Sequence, residues 1–134
     1  MLSDYNPLNI RYNKNNRWLG QTGSHKGFCR FVRLEFGIRA AIILLKNYYF
    51  IYKLRSISSI IKRYAPSNEN DTDAYIAFVS HESRLGADDT LNLVDLLYKV
   101  LPAMSKFESG YFLHTDVIDD VVHKFKIYVI NEKS

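Results

Sequence analysis

The sequence predicts a mainly α-helical single domain of the α+β kind. It should have a central apolar helix, further amphipathic helices around it, and one short N-terminal β-hairpin or strand. Three observations carry this expectation. Ile38, Ala41, Ile42, Leu45, Tyr49 and Tyr52 recur at helical spacing. Ile43, Leu44, Phe50 and Ile51 make the same segment apolar on most sides, as in a helix enclosed by others. The run Gly27-Phe28-Cys29-Arg30-Phe31-Val32 is short, aromatic and flanked by glycine, which favours a strand.

The elements follow in order. Residues 4 to 26 are polar and rich in asparagine and glycine, so a loop is expected there, with a short strand at Trp18-Leu19. The core helix should run from about Leu34 to Lys53, with Gly37 as a weak point near its start. Ser56 can cap a helix over 57 to 64, and Pro66 stops it, because a residue before proline is biased out of the helical region. Asn70 and Asp73 resemble a capping pair for a helix over about 71 to 84, which Gly86 would end. Asp88 or Asp89 should cap the next helix, from Thr90 to about Phe107. Pro102 lies inside that pattern, so the helix kinks there or two helices meet. Gly110 is a stop, and Thr115 caps a last helix built on Ile118, Val121, Val122 and Phe125. Its end is ambiguous, since Phe125, Ile127 and Val129 also alternate as a strand would.

Composition narrows the class. The chain has 134 residues, 47% hydrophobic and 24% charged, enough for one packed domain over residues 1–134 without staples. Cys29 is its one cysteine, which excludes an intrachain disulfide. The net charge of +4 is scattered over single arginines and lysines, and that argues against nucleic acid as a partner. The stretch from Ile38 to Tyr52 is interrupted by Arg39, Lys46 and Asn47 and is shorter than the roughly 20 apolar residues that span a bilayer, so no membrane insertion is expected. The start, Met1-Leu2-Ser3-Asp4, has no signal-peptide character. His25, His81, His114 and His123 show no metal spacing, and no cofactor motif is present.

Six motifs stand in order along residues 6 to 110: Asn6-Pro7-Leu8-Asn9-Ile10-Arg11, Trp18-Leu19-Gly20, the pair Phe28 and Phe31, Gly37-Ile38-Arg39-Ala40, Arg63-Tyr64-Ala65-Pro66, and Glu69-Asn70-Asp71-Thr72 closing on Tyr75. Ala103-Met104 with Glu108 and Gly110 resembles the closing segment of the same pattern. The set resembles a family of small phage and prophage "structural proteins", many from Bacteroidetes, whose pattern is Asn-Pro-Gly-Asn-Ile-Arg followed later by Trp-Ala-Pro-x-x-Glu-Asn-x-Thr. Two residues depart from it: Leu8 stands for glycine and Tyr64 for tryptophan. A glycine at the first position would permit a positive φ that leucine adopts only at a cost, so an altered first loop is expected.

That family is distantly similar to lysozyme-like cell-wall hydrolases. The resemblance implies a small lysozyme-like helical domain, found in the virion or in the host cytoplasm before assembly. Its implied partners are peptidoglycan or phage virion proteins, with no cofactor. The implied activity is cleavage of peptidoglycan glycan strands in the manner of a muramidase; the alternative is a non-enzymatic structural or assembly protein. Lysozyme-like hydrolases usually carry their catalytic glutamate upstream of the asparagine turn, whereas no glutamate precedes Glu35 in this chain.

Cleaving a sugar–sugar bond requires a carboxylic acid held protonated beside the leaving oxygen. Glu69, in a loop before a capped helix, is the first candidate, and Glu35, at the start of the core helix, the weaker one. Glu69 could equally pin its loop, and Glu35 could simply favour the helix dipole. Asn6, Asn9, Arg11 and Asn70 offer donors for sugar hydroxyls, although asparagines also build turns. Trp18 and Tyr75 offer rings, and Arg39 is expected to be at least half-buried and paired with Glu69.

Overall fold

The computed structural model describes residues 4–68 and 70–129. The chain is mainly helical, with one small antiparallel sheet. Strands β1 (Gln21–His25) and β2 (Phe28–Phe31) form a hairpin around Lys26-Gly27, both at positive φ, as a tight two-residue turn requires. The Trp18-Leu19 strand expected from sequence is absent: the chain turns there and the first strand begins at Gln21. The segment before the hairpin runs along the free side of β2, where the Cys29 amide donates to the Ile10 carbonyl at 2.9 Å and the Tyr12 amide to the Gly27 carbonyl at 2.8 Å.

Helix α1 (Leu34–Phe50) is the centre of the molecule, burying Ile38, Ala40, Ala41, Ile42, Leu45 and Tyr49. It ends three residues before the expected Lys53, and the chain turns back through Lys53 at positive φ. Helix α2 (Ile57–Tyr64) starts at the predicted Ser56, whose hydroxyl accepts from the Ser59 amide in a reciprocal capping box. Helix α3 (Thr72–Ser83) is capped by Asp71, which accepts from the Ala74 amide, rather than by Asn70. Its end is a left-handed Arg84, two residues before Gly86.

The next helix also starts later than expected. Asn92, not Asp88 or Asp89, caps α4 (Leu93–Asp95) by accepting from the Asp95 amide at 2.7 Å. The helix then widens into a π turn (Leu96–Val100) and continues as α5 (Leu101–Ser109). The π turn explains how Pro102 is carried: the chain neither breaks nor restarts, because the wider turn, closed by the Leu101 amide on the Leu96 carbonyl, relaxes the clash of a proline ring with the preceding turn. Gly110 ends α5 at φ 76, as a left-handed C-cap. Helix α6 (Thr115–Phe125) is preceded by His114 as its cap residue, so Thr115 is its first residue, and Lys126 at φ 54 ends it. Residues 127–129 are irregular, which removes the strand reading of Phe125, Ile127 and Val129.

The core is one cluster joining all helices to the hairpin. Helix α1 packs on β2, α6 and the π turn, while α3 packs between α2 and α5. Among the described residues no helix is long and apolar enough to cross a membrane.

Candidate functional site

The first loop is built by buried hydrogen bonds. Asn6 is 2% exposed, and its side-chain amide donates to the Ile10 and Cys29 carbonyls while its oxygen accepts from the Ile10 amide. It is a backbone clamp, so the ligand-binding role offered for it from sequence is withdrawn. Leu8 is fully buried and keeps a negative φ; the positive angle falls on Asn9, at 53°. The expected cost of leucine for glycine is therefore not incurred in the backbone. The two residues that depart from the family pattern also meet, since the Tyr64 hydroxyl donates to the Leu8 carbonyl at 2.5 Å.

The same loop is tied to the C-terminal end of α5. The Asn9 amide donates to the Glu108 carbonyl at 2.7 Å, and the Ser109 hydroxyl to the Pro7 carbonyl at 2.8 Å. Beneath it Gly37 passes so close that a Cβ there would lie 1.7 Å from the Tyr5 carbonyl oxygen, which is why α1 carries glycine at this point.

Between these parts lies a cleft of about 360 Å³. Asn9 and Arg11 of the first loop, and Asn13, Asn16 and Trp18 of the next, line it. Phe28, with the Arg11 guanidinium 5.6 Å from its ring centre, and Tyr48, Tyr64, Asn70 and Glu108 complete the lining. The lining thus combines amide and guanidinium donors, aromatic rings and a carboxyl group. Four of the residues singled out from sequence, Asn9, Arg11, Trp18 and Asn70, are brought together here.

Others are not. Glu35 opens α1 away from the cleft, where Lys124 at 2.7 Å and Arg33 at 3.5 Å hold its carboxyl below the usual range, Lys124 foremost. A carboxylate kept ionised in this way is a poor proton donor, so Glu35 is set aside as a catalytic candidate. Arg39 is half-buried, as expected, but lines a separate hollow with Arg17, Leu19 and Gln21, its guanidinium 5.7 Å from the Phe125 ring centre. Tyr75 is 1% exposed and stacked on Phe107 with centroids 4.1 Å apart, so it lies beneath the cleft rather than on its wall. Glu69, the first catalytic candidate, lies outside the described residues. Cys29 is buried in β2, and burial raises its thiol pKa, which fits an inert core cysteine.

Glu108 is the site residue that sequence reasoning passed over. Burial pushes its carboxyl pKa up, against the opposing pull of the Tyr75 hydroxyl, the Asn9 amide and the Arg11 guanidinium. Burial also raises both nearby phenols, and the negative charge of Glu108 adds to the effect on Tyr64 and on Tyr75. The Tyr75 hydroxyl is buried and meets no partner at hydrogen-bond geometry among the described residues. It is nevertheless near enough to the Glu108 carboxyl for each to shift the other's protonation. One local signal was available in the sequence: a glutamate in the last turn before a glycine stop opposes the helix dipole.

A second hollow, of about 390 Å³, lies between α3, α5 and the residues before α6. Its carboxylate, Glu82, is paired with Lys106 at 3.2 Å, and Phe112 stands exposed beside it.

Fold and cleft together define a small, mainly α-helical protein with one hairpin and a polar, aromatic-lined groove around a half-buried carboxyl. No protein-family model matches the sequence. The chain is 37% identical over 114 residues to protein P5 of Pseudoalteromonas phage PM2, an alignment covering 81% of this chain and 70% of the phage protein. The chain therefore belongs to the family of this phage protein.

Proposed function

We propose that this is a phage- or prophage-encoded, virion-associated protein whose lysozyme-like domain binds peptidoglycan glycan strands in the Asn9–Glu108 cleft and cleaves them. The observation that carries the reading is the composition of the cleft. Sugars present hydroxyl and acetamido groups around their edges and apolar faces above and below. A groove lined by Asn9, Asn70 and Arg11 together with Trp18, Tyr48 and Tyr64 answers both. The half-buried carboxyl among them adds the group that glycoside cleavage needs. Kinship with a phage protein fits a task at the bacterial wall.

The test is sedimentation with purified bacterial peptidoglycan, followed by measurement of newly released reducing ends. Wild-type protein should sediment with the wall material and release fragments, and Trp18→Ala should weaken binding by about tenfold, the loss of one stacking contact of ~1.4 kcal/mol. Protein that stays in the supernatant and releases nothing would refute the reading. Its recovery from purified virions would then favour a purely structural or assembly role with virion proteins as partners.

A further inference from the structure

Resting on that functional reading, we infer that Glu108 is the group that protonates the leaving oxygen, and that Tyr75 is the positioning residue that holds its carboxyl from below. Geometry carries this in three parts. First, Glu108 reaches the cleft from the last turn of α5 while its neighbours on either side do not line it: Phe107 stacks on Tyr75, and the Ser109 hydroxyl is spent on the Pro7 and Ser105 carbonyls. Second, the Asn9 amide fixes the Glu108 backbone at 2.7 Å, so the carboxyl is mounted on a helix end that is clamped to the first loop. Third, Tyr75 stacks on Phe107, the residue before Glu108, with its hydroxyl fully buried and without a partner among the described residues. An orphaned buried hydroxyl costs free energy unless the site uses it.

The titratable and charged groups of the cleft besides Glu108 are Arg11 from the first loop, Tyr48 from α1 and Tyr64 from α2, with Tyr75 of α3 beneath it. Arg11 is the one cation among them. The others are phenols that burial keeps neutral. An acid in such surroundings keeps its proton to a higher pH than a free glutamic acid. In the step, the Glu108 proton passes to the glycosidic oxygen as its bond to the anomeric carbon breaks. A water molecule then adds to that carbon and returns a proton to the Glu108 carboxylate, so one water is consumed and the acid is regenerated.

The experiment follows reducing-end release from purified peptidoglycan between pH 4 and 9, with sedimentation as the binding readout, for the wild type, Glu108→Gln, Tyr75→Phe and Glu69→Gln. Glu108→Gln should sediment as the wild type does while losing about 10²–10⁴-fold in rate, the usual share of a general acid. Tyr75→Phe should sediment as the wild type does and move the alkaline limb of the pH profile upward, because the phenol favours the carboxylate form. A purely structural Tyr75 would leave that limb in place, and this would overturn its positioning role. Cleavage that survives Glu108→Gln, or that is abolished by Glu69→Gln alone, would overturn the assignment of the acid while leaving the functional reading intact. Absence of cleavage by the wild type would overturn both.

Discussion

A carboxyl group in the last turn of a helix faces the negative end of the helix dipole, and Glu108 adds burial to that disadvantage. The consequence for stability can be signed. Its folded-state pKa is raised, so between the unfolded and folded values the native state holds more protons than the unfolded chain. Stability from this group is therefore fully present below the unfolded value, about 4.3, and is lost as pH rises through the folded value. Glu108→Gln should accordingly melt higher than the wild type at pH 7 and nearly level with it at pH 4, as thermal unfolding at the two pH values will show. A wild type more stable than the variant at pH 7 would contradict the burial account. Asn6 gives the opposite case. Asn6→Ala would strand the Ile10 amide and take one donor from each of the Ile10 and Cys29 carbonyls, and should cost about 2–3 kcal/mol in urea unfolding. A loss under 1 kcal/mol would mean that water reaches the loop.

Among the elements, α1 and the first loop depend on each other most closely. Gly37 exists because the Tyr5 carbonyl rests on α1, and no side chain there can yield to relieve the contact. Gly37→Ala should therefore cost about 3 kcal/mol and lift the loop, since overpacking against backbone is resolved only by moving it. Hydrogen exchange will check this: the Ile10 and Cys29 amides, bonded within the loop assembly, should lose protection before the amides of α6 do. Uniform loss across the molecule would argue against a local coupling. The elements differed in how far the sequence revealed them. Helix α2 was legible to its ends, because Ser56 and Pro66 punctuate it. The Gly110 stop was equally plain. Strand β1 was not, since Gln-Thr-Gly-Ser-His has no apolar alternation and is a strand only through its pairing with β2. The start of α4 was misplaced because Asp88, Asp89 and Asn92 all suit an N-cap, and packing rather than propensity chose the last.

At the scale of the whole molecule, the cleft joins residues from both ends of the chain. The first loop, Trp18 and the Asn70 loop were foreshadowed by local motifs, and the structure brings Asn9, Arg11, Trp18 and Asn70 together. Glu108 enters by tertiary contact alone, 99 residues from the Asn9 that holds it, and no local pattern encodes such a meeting. The π turn before α5 contributes, because the extra residue it absorbs sets which face of α5 turns toward the cleft. Recognition of a glycan in this one groove is the central claim. It is tested most directly by titrating ¹⁵N-labelled protein with a soluble peptidoglycan glycan fragment and following the amide and indole signals. Shifts are expected at Asn9, Arg11, Asn70 and the Trp18 indole, with little change at Phe112 and Lys106 in the second hollow. Shifts confined to Phe112 and Lys106, or none anywhere, would contradict it.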